Sequence, residues 1–371
     1  MMCDLCAMSF NKPVKPRYSF EDFIFKDRSN PDGWGLAFYP DQSAQIFKEP
    51  GMASKSKLAR FLAKYGGIKS RIIISHVRAG SVGGKTRANT HPFSRIYNNQ
   101  EWVLAHNGTI DPDKLDNRIK IGVYQAIGAT DSERILCVLL DKLLQKKIKA
   151  VTINDFTYLA DQLQEMNDFG RAGDVGRLNT IFSDGRYLFC YADKKWHNKL
   201  SFIKRESPFP DITLLDIKNA CKNQGMPDEE AKEKYFIHLP EQKGGDERGF
   251  IIATTDRTGA PTDETWIPFK GGELIVFENG SMVYSNKRDP AFWNLSRLES
   301  KMLRCIRSSP EIGLDELISC LGESQEAIAS SLHLLQDNGY IKEDSNAPGY
   351  FYTNPEKETG IDAFLEDTPE P

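Results

Sequence analysis

The sequence predicts a layered α+β fold for most of the chain, followed by a small winged-helix-like domain. Strand-like runs and amphipathic helices come in blocks rather than in regular βαβ alternation, which favours sheets covered by helices. Near residue 288 the pattern changes to three helical stretches and a β-hairpin. A chain of 371 residues can form one large and one smaller domain. We expect these domains at 3–288 and 296–354, followed by an acidic, disordered tail at 355–371.

The strands of the large domain are predicted from short runs of β-branched and aromatic residues. These runs lie at 35–39, 44–47, 71–77, 102–106, 181–182, 187–191, 249–254, 273–277 and 282–284. Asn107-Gly108 follows one of the runs and predicts a turn, and Asn279-Gly280 predicts a hairpin. Residues 228–247 are charged and predict a surface excursion.

Two helices are predicted between these strands. Thr130 and Glu133 have the spacing of a capping box, and apolar residues follow at helical intervals from Ile135 to Leu144. Residues 155–166 predict the second helix.

The C-terminal region predicts helices at 298–307 and 314–321, and a third that Ser324 can cap. A hairpin within 340–352 completes the winged-helix-like pattern. Four basic residues accompany nine acidic ones between 298 and 353, and the third helix has no lysine or arginine. Because phosphate contacts need basic side chains, we expect no nucleic-acid partner. We expect this domain to contact a protein partner, such as a synthase, or to self-associate.

Composition narrows the class of protein. The formal net charge of −4 gives no general attraction to nucleic acid or to anionic membranes. No apolar run is long enough to span a bilayer, and the N-terminus lacks the features of a signal peptide. Seven cysteines, an odd number, favour reduced thiols over a disulfide framework. The sequence therefore predicts a cytoplasmic protein that has no membrane partner.

A cysteine at a true N-terminus carries both a nucleophile and a base. A thiol with a pKa of ~8.5 is mostly protonated at neutral pH, and an α-amino group with a pKa of ~7.7–8.0 can accept its proton. Cys3 is preceded by Met1 and Met2. We therefore expect that translation starts at Met2 or that a further processing step exposes the amine of Cys3.

Three later segments supply what such a nucleophile needs. Asn107 and Gly108 can donate hydrogen bonds to an oxyanion. Arg78, at the end of a predicted strand, can bind a carboxylate, and Asp131, in the first turn of a helix, can pair with an ammonium group. Glutamine and γ-glutamyl compounds present these groups, so the pattern predicts attack on a γ-amide.

In these segments the sequence resembles the class II (N-terminal cysteine) glutamine amidotransferases, and most closely their stand-alone members. The matching segments occur in the order of the family at 2–9, 31–35, 76–78, 89–93, 105–108 and 130–133. Residues 264–266 resemble a later segment of the stand-alone group. The resemblance implies an N-terminal-nucleophile hydrolase fold, a four-layer αββα sandwich with two antiparallel sheets between helical layers.

The resemblance also implies roles for individual residues. Cys3 would be the nucleophile, and Asn107 and Gly108 would form the oxyanion hole. Arg78 and Asp131 would bind the backbone groups of glutamine. Four further residues would line the site: Trp34, Gly35, His91 and Ser81, the last of which stands where many members have threonine.

Other interpretations of the same residues stay open. Cys3 and Cys6 form a Cys-x-x-Cys pair, but no second close pair accompanies it, so we expect no metal. Neither a phosphate-binding loop nor a Rossmann fingerprint is present, so we expect no cofactor and no fused synthase domain. The chain is then a glutaminase subunit, a free-standing γ-glutamyl hydrolase, or a catalytically silent glutamine sensor that signals through its C-terminal module.

Overall fold

The structure is a computed structural model that describes residues 3–15, 30–65, 67–80, 83–119, 122–170, 174–207, 212–214, 236–237, 245–254, 258–259, 266–309 and 311–368. Ser81 and most of the excursion predicted at 228–247 lie outside the described residues. The chain forms two compact units, residues 1–288 and 289–371.

The strands of the larger unit are β1 (Asp4–Val14), β2 (Trp34–Phe38), β3 (Gln45–Glu49), β4 (Ser70–Val77), β5 (Phe93–Tyr97), β6 (Gln100–Thr109), β7 (Arg177–Ser183), β8 (Tyr187–Tyr191), β9 (Ser201–Glu206), β10 (Ile212–Leu214), β11 (Phe236–Ile237), β12 (Arg248–Ala253), β13 (Thr258–Gly259), β14 (Ile267–Pro268), β15 (Leu274–Glu278) and β16 (Ser281–Ser285). Seven of them form an antiparallel sheet in the order β14-β9-β12-β1-β4-β2-β3, and six form a second antiparallel sheet in the order β16-β15-β8-β7-β6-β5. Strands β10, β11 and β13 form a small separate sheet.

The turn predicted at Asn107-Gly108 is wrong, because β6 continues through both residues to Thr109. Asn107 and Gly108 pair with Asn179 and Leu178 of β7. Long-range strand pairing therefore overrides the local preference of Asn-Gly for a turn. By contrast, Asn279 and Gly280 both have positive φ and form the predicted hairpin between β15 and β16.

Helices cover the outer faces of the two sheets. The helices of this unit are α1 (Lys57–Lys64), α2 (Pro112–Ile119), α3 (Asp131–Gln145) and α4 (Phe156–Asn167), and short 3-10 turns lie at Ala53–Lys55, Arg87–Asn89 and Ile153–Asp155. Alternate residues of β1 pack with Ala59 and Leu62 of α1 on the first sheet. The leucines of α3 and α4 pack on the second sheet.

The two sheets face each other across an aromatic layer. The rings of Phe250 on β12 and Phe277 on β15 lie 4.8 Å apart, and Phe202 on β9 contacts both. The layers are thus helix, sheet, sheet and helix, which confirms the αββα sandwich. Within the described ranges, no helix combines the length and the apolar character that a membrane crossing requires.

The smaller unit consists of helices around a three-stranded antiparallel sheet. Its elements are α5 (Pro290–Trp293), α6 (Arg297–Ser308), β17 (Ile312–Gly313), α7 (Leu314–Leu321), α8 (Gln325–Asp337), β18 (Ile341–Asp344), β19 (Ala347–Thr353) and α9 (Glu358–Asp367), with a 3-10 turn at Pro355–Lys357. The sheet order is β17-β19-β18. Ser324 caps α8 by accepting from the Ala327 amide. This order of elements is compatible with a winged helix, and the winged-helix assignment stays a prediction.

The segment at 355–371 differs from the disordered tail that its charge predicts. Residues 358–367 form α9, in which Ile361 and Phe364 are buried. The Phe364 ring packs against Phe292 and Trp293 of α5. Charge content alone cannot reveal that these two apolar residues stand three positions apart, on one face of a helix.

We expect Phe364→Ala to destabilise the smaller unit by about 3–5 kcal/mol, because it removes a buried aromatic ring. Leu334→Ala, at a side chain that is 47% exposed, is the control and should cost less than about 1 kcal/mol. Hydrogen exchange of peptides from 289–368, followed as a function of urea, measures both variants. Equal exchange in the parent and Phe364→Ala would contradict the packed helix.

Candidate active site

Cys3 directly precedes β1, a strand inside the first sheet. Asp4 pairs with Val77 of β4, so this register brings Cys3 next to Arg78, the residue that follows β4. The Cys3 Sγ accepts a hydrogen bond from the Ala79 amide at 3.3 Å and lies 3.5 Å from the Ala79 carbonyl oxygen. Residues 78 and 79 therefore form one wall beside the thiol.

The second sheet provides the opposite wall. Asn107 lies in β6, and its Nδ2 donates a hydrogen bond to the Cys3 carbonyl oxygen. A Cβ at Gly108 would lie 1.9 Å from the Arg177 carbonyl oxygen, so only glycine fits against β7 there. The two predicted oxyanion donors thus lie in one strand segment that contacts Cys3.

Arg78 is buried, and its position is held by two neighbouring segments. Its guanidinium donates to the Asp32 carbonyl at 3.4 Å and to the Gly83 carbonyl at 3.3 Å. The Asp32 carboxylate accepts from the Gly80 amide at 2.7 Å and pairs with Lys85 at 2.7 Å. Asp32 therefore contacts the arginine head group through its carbonyl and holds the segment after Arg78 through its carboxylate.

Asp131 is the first residue of α3, which Thr130 caps as predicted. One carboxylate oxygen accepts from the Ile110 amide at 2.8 Å and the other from the Ser132 amide at 2.9 Å. These bonds join the start of α3 to the end of β6. The Glu133 side chain leaves the predicted capping box and pairs with Arg95 at 2.6 Å.

Burial controls the acidity of the thiol. Burial raises the pKa of Cys3 to about 11, against the opposing effects of the Ala79 amide and of the positive charge on Arg78. The negative charges of Asp4 and Asp131 raise the pKa of Cys3 further. Arg78 and Asp131 are therefore both close enough to act electrostatically on the sulfur, and the thiol is protonated at neutral pH.

Three histidines form a buried group behind this site. The rings of His76 and His91 lie 3.9 Å apart, and the His76 Nε2 lies 3.2 Å from the His106 carbonyl oxygen. Burial lowers the pKa of His76 to about 3 and holds that of His91 well below its ordinary value. The His106 ring bonds to Ser132 and to the Arg177 carbonyl at 3.0 Å each. His76 and His91 are thus neutral at physiological pH, and both nitrogens of the His106 ring have partners within the fold.

The remaining predicted lining residues differ in position. Trp34 is 1% exposed and packs in the hydrophobic core under α1, so its side chain does not line the site as predicted. Its large apolar ring is better accommodated there. A Cβ at Gly35 would lie 2.1 Å from the His91 carbonyl oxygen, so glycine allows the His91 segment to approach β2. Ser81 lies outside the described residues.

Sequence reasoning missed two asparagines near the predicted residues. The Asn198 Nδ2 lies 3.4 Å from the Cys3 carbonyl oxygen. Asn89 donates to the Gly84 carbonyl at 3.1 Å and accepts from the Ala129 amide at 2.8 Å, which joins the segments that carry Arg78 and Asp131. Asn89 begins one of the matching segments, whereas no sequence pattern singles out Asn198. No group of three or more His, Cys, Asp or Glu side chains is arranged to hold a metal among the residues that the structure describes.

Comparison with known proteins gives matches over most of the chain. A family model for class-II glutamine amidotransferases matches residues 2–301. An uncharacterised protein of Methanocaldococcus jannaschii is 36% identical over 98% of this chain and 97% of its own length. An alignment of that extent includes most of residues 289–371. YafJ of Escherichia coli, provisionally named a glutamine amidotransferase, is 31% identical over 76% of this chain and 100% of its own length.

Among solved structures, one described as a predicted glutamine amidotransferase from Pseudomonas aeruginosa is similar to this chain. It is 23% identical, with a TM-score of 0.48, over 76% of this chain and 96% of its own.

Lys48 gives the site a pH-dependent contribution to stability. Its Nζ donates to the carbonyls of Thr90 and Pro92 at 2.8 and 2.9 Å, and burial lowers the pKa of Lys48 to about 8. An unfolded lysine titrates near ~10.4, so between these values the unfolded chain binds more protons and stability rises with pH. We expect the free energy of unfolding of the parent to rise relative to that of Lys48→Met between about pH 7 and about pH 9.5, because only the parent loses the cost of burying a charged lysine.

Urea unfolding at the two pH values measures this difference. Lys57→Met, at an exposed side chain, is the control and should show no such growth. A pH-independent difference for Lys48→Met would contradict the prediction.

Proposed function

Because this chain belongs to the class-II glutamine amidotransferases, which hydrolyse or transfer the amide of glutamine, we propose that Cys3 is the nucleophile that attacks this amide. One observation carries the proposal. The Cys3 carbonyl accepts from Asn107, while its sulfur lies against Ala79 and within electrostatic reach of Arg78 and Asp131. The residues proposed to bind the oxyanion and the two charged groups of the substrate thus lie near Cys3, which supports the proposal.

The proposed base is the α-amino group of Cys3 after Met1 and Met2 have been removed. A thiol with a pKa of about 11 needs a base to give up its proton at neutral pH. His76 and His91 are buried behind the site, and the His106 ring has other partners. An α-amine with a pKa of ~7.7–8.0 is instead well suited to accept the proton of the thiol.

The thiolate then attacks the γ-carbonyl carbon, and the C=O π electrons move to the oxygen. Asn107 Nδ2 and the Gly108 amide stabilise this oxyanion. The C–N bond breaks as the protonated amine returns its proton to the departing nitrogen, which leaves as ammonia or as an amine. Water, deprotonated by the same amine, attacks the γ-glutamyl thioester and releases glutamate and the Cys3 thiol.

Arg78 and Asp131 bind the α-carboxylate and the α-ammonium of the substrate in this proposal, because their charges are opposite and lie on different sides of Cys3. His91, Gly35 and Ser81 would shape the same pocket. γ-Glutamyl compounds carry both charged groups and a γ-amide, so these compounds form the proposed substrate class.

The smaller unit is proposed to contact a protein, either a synthase that accepts the ammonia or another regulatory partner, in the cytoplasm. Two of its basic residues are already engaged within the unit. Arg307 pairs with Glu358 and Asp362, and Arg304 donates to the Thr368 carbonyl. This engagement supports a protein partner rather than a nucleic acid.

We expect Asn107→Ala to lower kcat for glutamate release by about 100- to 1000-fold, because an oxyanion donor is lost. Arg78→Ala should instead raise KM by about 10- to 100-fold, because a charged hydrogen bond to the substrate is lost. Steady-state kinetics with glutamine and a γ-glutamyl amide separate the two effects, and Arg78→Lys, which retains the charge, is the matched control. Small, equal effects on both parameters would refute these roles.

The processing requirement predicts that only a chain beginning at Cys3 is active. Intact mass and N-terminal sequence should be measured on the same sample as glutamate release and labelling by a thiol-reactive glutamine analogue. Activity in a chain that retains Met2 would overturn the role of the amine. Glutamine binding that survives Cys3→Ala, with no hydrolysis by the processed parent, would instead indicate a glutamine sensor.

A further inference from the structure

The segment 193–198 connects β8 of the second sheet to β9 of the first. It ends at Asn198, whose Nδ2 lies 3.4 Å from the Cys3 carbonyl oxygen. The same oxygen also accepts from Asn107. Two side-chain amides from different parts of the chain therefore converge on the backbone of the proposed nucleophile.

One buried side chain holds both ends of this segment. Asn179, which is 1% exposed, donates to the Asn198 carbonyl at 2.6 Å and accepts from the Asp193 amide at 3.0 Å. The Asp193 carboxylate accepts in turn from the amides of Lys195 and His197, at 2.8 and 3.2 Å. The segment thus has a shape determined by its own hydrogen bonds, and Asn198 is not on a loose loop.

The strand register links this segment to the oxyanion donor. Asn179 of β7 pairs directly with Asn107 of β6. Asn107 therefore reaches the Cys3 carbonyl from β6 itself. Asn198 reaches the same carbonyl from a segment that is held by Asn179, the partner of Asn107 on β7.

We propose that Asn198 is a positioning residue for this reaction, which holds the Cys3 carbonyl while the Asn107 amide serves the oxyanion, and that Asn179 keeps Asn198 in place. A carbonyl oxygen has two lone pairs and accepts both amides in the resting site. When Asn107 turns toward the substrate, Asn198 still fixes the Cys3 backbone, so the sulfur and the amine keep their orientation. This inference rests on the proposed function of Cys3.

The first test compares Asn198→Ala with Asn286→Ala. Asn286 also makes two hydrogen bonds through its side chain, but it follows the edge strand β16. We expect Asn198→Ala to lower kcat about 3- to 10-fold with KM changed less than about 2-fold, as the loss of one neutral hydrogen bond predicts. Asn286→Ala should leave both parameters unchanged.

The second test uses Asn198→Asp, which has nearly the same shape. An ionised carboxylate has no proton to donate to the Cys3 carbonyl, so this variant should be less active than Asn198→Ala at neutral pH. Its activity relative to the parent should rise as the pH is lowered toward about 5, where the carboxyl group gains a proton that it can donate. A purely structural role would not produce this pH profile.

The outcomes separate the two proposals. All samples are processed to Cys3, checked by circular dichroism and labelled with the thiol-reactive glutamine analogue. If the parent is labelled and active, two results would overturn the role of Asn198 but leave the proposed function intact. The first is an Asn198→Ala variant with the activity of the parent, and the second is a pH profile of Asn198→Asp that is parallel to that of Asn198→Ala. A parent that is neither labelled nor active overturns the proposed function, and the inference falls with it.

Discussion

The hydrogen bond from Asn107 to the Cys3 carbonyl joins the two sheets of the sandwich, and the rest of the site depends on it. Cys3 directly precedes β1 of the first sheet, and Asn107 lies in β6 of the second. The register of β1 against β4 brings Arg78 beside Cys3, and the end of β6 leads to Ile110, whose amide holds Asp131. The stacking of the sheets therefore determines the distances between groups that are far apart in the sequence.

Burial is the second condition on the chemistry. The same low-polarity surroundings that keep the Cys3 thiol protonated also keep His76 and His91 neutral. A neighbouring imidazolium would stabilise the thiolate permanently and make it reactive toward any electrophile. Here the thiol stays protonated until a base removes its proton, and under the proposed function that base is the amine at the N-terminus.

Some elements could be predicted because their signals act over a few residues. β-branched runs indicate the strands, Asn279-Gly280 indicates a hairpin, and Thr130 indicates the start of α3. Arg78 and Asp131 could be singled out because each carries a charge at the end of such an element, and their roles as substrate ligands stay predictions. Trp34 could not be assigned, since an aromatic residue suits a core and a pocket wall equally. Asn107-Gly108 was predicted as a turn because its strand partners are some seventy residues away. Asn179 and Asn198 carry no local pattern, since their role exists only when β7 and the 193–198 segment meet Cys3.

The position of β1 inside the first sheet also has a consequence for biosynthesis. One neighbour of β1 is β4, which the ribosome synthesises early. The other is β12, which is synthesised much later and places Ala253 opposite Cys6. At about 5–20 residues per second, the ribosome needs roughly 10–50 s between these two residues. During that interval one edge of the first strand has no partner, and the residues before it are accessible to the enzymes that trim nascent chains. Under the proposed function, translation time thus provides a period in which the amine of Cys3 can be exposed before the first sheet is complete.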